Sequence, residues 1–222
     1  MNKVIRAEFG RTINAGLIIA IAGIIFSICF DSFNDLIAGL RNGQGYVGYF
    51  FSNAAFGGMC THYMLPVFTA LPFSVSLCQE RNNKAVSYIV SREGKNRYIF
   101  AKFIVSAISG GFVAACGTVL LFLMLAMRFP IAGDEFEGAV VSDYFHEWSA
   151  VYYPQLYILT LSILAFCRGV IWSSLALCVS LYTSDFMVVL LSPFLGSYVL
   201  VRIFQIIRVP DMVRPDMILI GR

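Results

Sequence analysis

Residues Gln79 to Lys102 read QERNNKAVSYIVSREGKNRYIFAK and separate two long apolar runs. The apolar runs are long enough to cross a bilayer, whereas this segment is too polar to enter one. Its only acids are Glu80 and Glu93. Short loops rich in Lys and Arg stay in the cytoplasm, so the segment orients the whole chain. Its basic residues are Arg81, Lys84, Arg92, Lys95, Arg97 and Lys102.

The middle of this basic segment has the spacing of a short amphipathic helix. Ala85, Tyr88 and Ile89 recur at helical intervals, and the pattern ends by Gly94. We therefore predict a helix over residues 82–90 on the cytoplasmic face, where it would offer a surface to a partner.

The composition is that of a membrane protein. Of the 222 residues, 59% are hydrophobic and only 13% are charged, and the mean hydropathy is +0.77. Soluble domains carry about 25% charged residues. A span needs about 20 apolar residues, so the chain is predicted to be an all-α polytopic helical bundle forming a single transmembrane domain over residues 1–222. The five predicted spans are residues 14–30, 59–78, 98–127, 154–181 and 186–207.

The first 13 residues have a different pattern. Apolar residues recur at every fourth position, and basic residues lie between them, which predicts an amphipathic helix on the cytoplasmic leaflet. A signal peptide is the alternative, but no small-residue cleavage site follows and four further spans do. The apolar residues are Met1, Ile5, Phe9 and Ile13, and the basic ones are Lys3, Arg6 and Arg11.

Charge asymmetry predicts the topology. The loop over residues 30–58 lies outside, as does the loop over residues 129–153, which is acidic and has no Lys or Arg. The turn over residues 182–185 lies inside, where Thr183, Ser184 or Asp185 can cap the fifth helix. We thus expect a multi-pass protein of the cell membrane with a cytoplasmic N-terminus, and a further membrane element after residues 210–222.

Small residues predict where helices come close, since lipid supplies no hydrophobic drive between them. In the first span they allow two interpretations, packing within the chain or a homodimer seam. The first-span residues are Gly16, Ala20, Gly23 and Ser27, and the third span has an equivalent row at Ser106, Gly110, Ala114 and Gly117.

Arg168 lies near the middle of the fourth span, where a charge is costly unless it faces a cavity or a partner. Two interpretations have equal weight: a polar substrate path, or a structural role in which backbone carbonyls satisfy the guanidinium. Pro66 and Pro72 predict kinks in the second span, and kinked spans often line cavities. These three residues are therefore the candidate path.

Enzyme chemistry has little support in this sequence. It contains no HExxH, GxSxG or phosphate-loop motif, so we predict no catalytic residue, cofactor or metal in this chain. His146 lies in an acidic loop where a weak metal site is imaginable, but a solvated loop is the stronger interpretation. The six cysteines are interpreted as small buried hydrophobic residues, and only Cys29 and Cys60 are placed for a disulfide.

The segment from Leu65 to Lys102 resembles ABC-2 type transporter permeases. In that family a proline-containing span ends in an acidic residue, here Glu80, and a short helix follows. Residues 171–194 (IWSSLALCVSLYTSDFMVVLLSPF) are similar to the family's fourth span, inner turn and start of the fifth. The remaining matching positions are Ser91, Arg92, Tyr98, Ile99 and Lys102.

This resemblance implies the permease subunit of an ATP-driven exporter of a hydrophobic or amphipathic substrate, such as a peptide toxin or antimicrobial. It implies six spans, a homodimer or a sister permease, and a separate ATPase subunit that holds ATP and Mg. The implied ATPase contacts are the interfacial N-terminal helix and the helix over residues 82–90. The implied ATPase-coupling residues are Glu80, Arg81, Lys84, Ala85, Tyr88, Ile89 and Arg92. The alternative function is a sensor or immunity subunit whose acidic outer loop binds cationic peptides, and an intramembrane enzyme is a distant third.

Overall fold

The computed structural model describes residues 10, 15–42, 47, 50, 58–72, 76–83, 86, 88, 90, 91, 94–130 and 154–207. Every regular element in these residues is an α-helix, so the predicted all-α class is confirmed. The helices are α1 (Ala15–Asp31), α2 (Phe33–Asn42), α3 (Met59–Ala70), α4 (Ser76–Asn82), α5 (Lys95–Ala126), α6 (Pro154–Tyr182) and α7 (Phe186–Ile207).

Three of these helices are long and apolar enough to cross a membrane: Lys95–Ala126, Ile158–Tyr182 and Phe186–Ile207. A fourth candidate is α1 taken together with α2, across a bend of 70°. The chain is therefore a membrane protein. The last three predicted spans coincide with α5, α6 and α7 to within a helical turn. At the start of α7 the capping residue is Asp185, whose Oδ1 accepts a hydrogen bond of 2.9 Å from the Met187 N–H.

The second predicted span is not one continuous helix. Helix α3 has 12 residues and α4 has 7, each too short to cross a bilayer alone. Between them the chain turns at Leu71 and Pro72, because proline removes a backbone donor and its ring clashes with the preceding turn. Where a kink was predicted at Pro72, the structure has a turn that ends α3, and a crossing made by α3 and α4 together stays a prediction.

Helix α2 lies in a region that the sequence pattern assigned to an outer loop. Leu36 packs on the core, whereas Phe33, Ile37 and Leu40 are exposed. An apolar stripe on a short helix with polar residues opposite it suits the plane of a membrane interface. The spacing of these four residues is the signal that a sequence reading could have used.

The closest helix pair is α5 with α6. A methyl group added to Gly169 would lie 2.4 Å from the carbonyl oxygen of Gly110. Ser173 Oγ donates to the Ser106 carbonyl at 2.9 Å, and Ser106 Oγ donates back to the Ser173 carbonyl at 3.3 Å. Of the small residues predicted in the third span, Ser106 and Gly110 therefore form a close contact with α6, and Gly117 lies against Ile24 of α1.

The small residues of α1 also pack within the chain. Ala20 and Ser27 are buried, and a Cβ on Gly23 would lie 2.4 Å from the ring of Phe68 in α3. At Gly23 the intramolecular interpretation is therefore favoured over the homodimer seam, because Phe68 of the chain's own α3 already fills the space beside it. A homodimer, which stays a prediction, would need another surface.

Some predictions concern residues outside the described ones. They are the interfacial helix over residues 1–13 apart from Gly10, the acidic loop beyond Pro130, the segment after Ile207, and His146. The same holds for four of the predicted ATPase-coupling residues: Lys84, Ala85, Ile89 and Arg92.

Candidate functional site

The basic end of the bundle is the end where α4 ends, α5 begins and α6 ends. Here α4 is tied to the turn between α6 and α7. Arg81 Nη1 donates to the Leu181 carbonyl at 3.1 Å, and Asn82 Nδ2 donates to the Ser184 carbonyl at 3.4 Å. These bonds hold the start of the predicted coupling segment, residues 82–90, against the end of α6.

A buried ion pair joins α4 to α5 at the basic end. Lys102 Nζ lies 2.8 Å from Glu80 Oε1, and the two side chains are 2% and 11% exposed. The Tyr98 hydroxyl donates to the other carboxylate oxygen of Glu80. Lys102 Nζ also lies 5.6 Å from the centre of the Tyr98 ring, within the range of a cation–π contact. Carboxylate, ammonium and phenol thus form one compact network.

This network shows how Glu80 is held. The sequence resemblance implied a part for Glu80 in coupling to an ATPase, and the structure places its carboxylate in an ion pair inside the bundle. Breaking a buried pair leaves an uncompensated charge, which costs far more than the pair itself contributes. The Glu80–Lys102 pair is therefore a link that resists separation of α4 from α5.

The coupling segment has an inner and an outer face. Val86 and Val90 pack inward against the apolar cluster of Leu77, Tyr98 and Leu177, while Tyr88 is 78% exposed. Of the described residues of the segment, Asn83 lies in a turn after α4, and Val86, Tyr88 and Val90 are helical. The inward valines were absent from the sequence-based set, although their spacing of four residues was available as a signal.

The turn into α5 depends on a glycine. Gly94 has a φ of 84°, a conformation that other L-residues adopt at a cost. Its N–H donates to the Val90 carbonyl at 2.9 Å. This geometry lets the coupling segment stop and α5 begin at the next residue.

A cavity of about 570 Å³ lies between the coupling segment and the bundle. Its wall is mainly apolar and includes Leu77, Val86, Val90, Ile99 and Leu181. Arg81 and Lys95 are its two basic lining residues, and both are exposed.

A second polar cluster surrounds Arg168, the middle residue of α6. Arg168 is 8% exposed, and its Nη2 donates to the His62 carbonyl at 3.0 Å and more weakly to the Thr61 carbonyl at 3.4 Å. In a regular helix the His62 carbonyl would accept from residue 66, but Pro66 has no N–H. Arg168 therefore supplies the donor that Pro66 lacks.

The first turn of α3 has a second charged neighbour. Asp31, the last residue of α1, accepts from the backbone N–H of Cys60 at 3.1 Å and of Thr61 at 2.5 Å. Gly58, the N-cap residue of α3, has no side chain to do so, and a carboxylate at a helix N-terminus also suits the helix dipole. The α3 start is thus held between a carboxylate of α1 and a guanidinium of α6.

Asp31 is a residue that the sequence reading missed, because a cap supplied from about 30 residues away has no local pattern. Thr61 Oγ1 is buried without a hydrogen-bond partner among the described residues.

Of the three candidate path residues, the structure brings Arg168 and Pro66 together. Pro72 is buried at the end of α3 and takes no part in this cluster. The contacts of Arg168 with carbonyls favour its structural interpretation.

The described residues contain no group of three or more His, Cys, Asp or Glu side chains placed to bind a metal ion. All six cysteines are free thiols, including Cys29 and Cys60. Comparison of the chain with protein-family models, characterised proteins and solved structures gives no match.

Proposed function

We propose that this chain is the membrane permease subunit of an ATP-driven exporter, with ATP bound and hydrolysed on a separate ATPase subunit. The substrate is hydrophobic or amphipathic, with a peptide toxin or antimicrobial as the leading candidate. The basic end faces the cytoplasm, in keeping with the positive-inside tendency of short loops. The protein works as a dimer, with itself or with a sister permease.

The observation that carries this proposal is the Glu80–Lys102 ion pair, reinforced by Tyr98. It lies directly behind an exposed basic segment and connects that segment to a membrane helix. A force applied to residues 82–90 passes through α4 into α5, because separating a buried ion pair is costly. A surface that only binds a partner has no need of such a rigid connection.

In this mechanism, closure of the ATPase subunits pushes on the coupling segment. The push moves α4 and α5 together as a body, and the cavity between subunits changes from inward to outward access. The tight contact of Gly110 with Gly169 makes α6 follow α5. The break at Pro72 allows α3 to keep its place against Arg168 while α4 moves.

The test is co-purification with any ATPase that is encoded next to this chain. Tyr88 and Tyr182 are both exposed tyrosines, at 78% and 86%, but only Tyr88 lies in the coupling segment. We expect Tyr88→Ala to reduce ATPase binding about tenfold, as removal of an exposed aromatic anchor in an interface does, and to leave the bundle folded. Tyr182→Ala is the matched control and should bind normally.

Deletion of residues 82–90 extends the test. It should abolish ATPase binding and stimulated ATP hydrolysis while the spans still insert. Retained binding with normal stimulated hydrolysis would overturn the proposal. An equal loss of ATPase binding in the Tyr88→Ala and Tyr182→Ala variants would show that the coupling segment is not the docking surface. Absence of any ATPase partner, together with binding of cationic peptides at the acidic end, would instead favour the sensor or immunity function.

A further inference from the structure

The cavity beneath the coupling segment has the chemistry of a lipid site. It is walled by aliphatic side chains, among them Leu77, Val86, Val90 and Ile99, and carries two cations, Arg81 and Lys95. A volume of about 570 Å³ falls within the range of small-molecule sites, which combine apolar walls with a few convergent polar groups. Its lining includes no carboxylate among the described residues.

The charge balance around the cavity favours an anion. Glu80, the nearest acid in sequence to Arg81, is already bound to Lys102 and Tyr98. Arg81 uses one N–H to reach the Leu181 carbonyl at 3.1 Å, which holds its guanidinium beside the cavity wall and leaves four N–H groups. Lys95 makes no ion pair with any described residue. An anionic head group would therefore meet two cations and no competing carboxylate from the described lining.

The surroundings favour a lipid over a water-soluble anion. The cavity lies where the apolar helices α5 and α6 reach the basic end, and neighbouring side chains such as Phe100 and Phe103 are 57% and 41% exposed. In a bilayer those side chains face acyl chains. The cytoplasmic leaflet is the anionic one and attracts basic segments next to spans. A lipid in that leaflet has both the chain and the charge that the cavity accommodates.

We infer that the cavity between α4, the coupling segment and the ends of α5 and α6 binds an anionic phospholipid of the cytoplasmic leaflet. One acyl chain lies against Val86, Val90 and Ile99, and Arg81 and Lys95 contact the phosphate. The choice of leaflet rests on the orientation given under the proposed function, whereas the binding itself does not. Such a lipid would support the inner face of the coupling segment.

The test uses the full chain without any ATPase. The protein is released from nanodiscs of equimolar phosphatidylglycerol and phosphatidylcholine, and native mass spectrometry counts the lipid that each molecule retains. We expect one retained phosphatidylglycerol. Arg81→Gln and Lys95→Gln should each weaken retention about fivefold, which corresponds to roughly 1 kcal/mol per basic group beside an anionic lipid. Arg97→Gln, at an exposed position that does not line the cavity, should leave retention unchanged.

A second pair of variants tests the apolar part. Leu181 and Leu191 are exposed to a similar degree, 43% and 47%, but only Leu181 lines the cavity. Leu181→Trp should expel the lipid, whereas Leu191→Trp should not.

Four results would overturn the inference. Equal retention of phosphatidylcholine would show that the cavity does not select an anionic lipid. An Arg97→Gln effect as large as that of Arg81→Gln would show that the lipid is attracted by the basic surface in general and not by the cavity. Full retention in Leu181→Trp would place the lipid elsewhere. If Leu181→Cys forms cross-links to a bound ATPase and the chain alone retains no lipid, the cavity binds a segment of the ATPase and not a lipid. The main assay contains no ATPase. Its result therefore tests lipid binding even if the proposed transport function is wrong.

Discussion

The Nη2 atom of Arg168 lies 3.0 Å from the carbonyl oxygen of His62. The relationship explains a charge in the middle of an apolar helix. Pro66 leaves the His62 carbonyl without its usual donor, and an unsatisfied carbonyl in a water-free interior is costly. One residue creates the unmet acceptor, and a residue about a hundred positions later satisfies it.

A double-mutant cycle tests this compensation. Arg168→Met should lower the free energy of unfolding by about 2 kcal/mol, because it removes a charged donor and leaves a buried carbonyl unpaired. In a Pro66→Ala background the restored N–H can serve the His62 carbonyl, so the same change should cost about 1 kcal/mol less. The measurement is reversible unfolding in mixed micelles.

The cycle also separates the two roles considered for Arg168. If Arg168 faces a substrate path, Arg168→Met should change transport more than stability, and Arg168→Cys in a background without native cysteines should react with water-soluble thiol reagents. Additive mutational effects together with a reactive thiol would contradict the structural role.

The Asp31 cap leads to a second prediction. Asp31→Ala should destabilise the protein by about 1 kcal/mol, since it removes the acceptor for the first backbone N–H groups of α3. Asn34, which is exposed in α2, offers the control Asn34→Ala, with an expected change near zero. Hydrogen exchange at Cys60 and Thr61 should rise in Asp31→Ala alone. Unchanged exchange there would show that the cap is not what protects the start of α3.

Substitutions of Glu80 and Lys102 should have strongly non-additive effects on the free energy of unfolding. Lys102→Met should destabilise the protein by about 3–5 kcal/mol, because the carboxylate of Glu80 is left buried without its cation. The double variant Glu80→Gln, Lys102→Met should recover much of that loss. Lys95→Met, at an exposed position, should cost little. A double variant no better than Lys102→Met would mean that the loss comes from packing and not from the unpaired charge.

Close glycine contacts should affect folding more than association. Gly169→Ala brings a methyl group against the backbone of α5, whereas Gly23→Ala meets the ring of Phe68, a side chain that can shift. We expect a loss of about 1–3 kcal/mol for Gly169→Ala and a smaller loss for Gly23→Ala. Gly10→Ala, with nothing within 4 Å, is the control.

Analytical ultracentrifugation of the folded fraction measures association in the same variants. The dimer fraction should be the same for all of them. A selective fall in the dimer fraction of Gly23→Ala would restore the subunit-seam interpretation of α1.

Much of the architecture was readable from the sequence by itself. Hydropathy placed α5, α6 and α7 to within a helical turn, because a membrane span needs a long apolar run and the run is visible in any single sequence. Pro72 predicted a distortion of the second span, where the structure has a turn, since proline acts on its own helix. The small residues of α5 predicted close contacts, but their partners in α6 and α1 were not readable. In each case the cause lies within one stretch of chain.

What the tertiary structure alone decided are the pairings between distant residues. Asp31 with Thr61, Arg168 with His62, and Glu80 with Lys102 connect helices whose relative depth and rotation no local pattern encodes. The same holds for the seam at Gly23, where sequence allows a partner subunit and packing places Phe68 of the same chain. Local chemistry determines which groups need a partner, because buried charges and unpaired carbonyls are costly. Which group meets that need depends on how the helices pack.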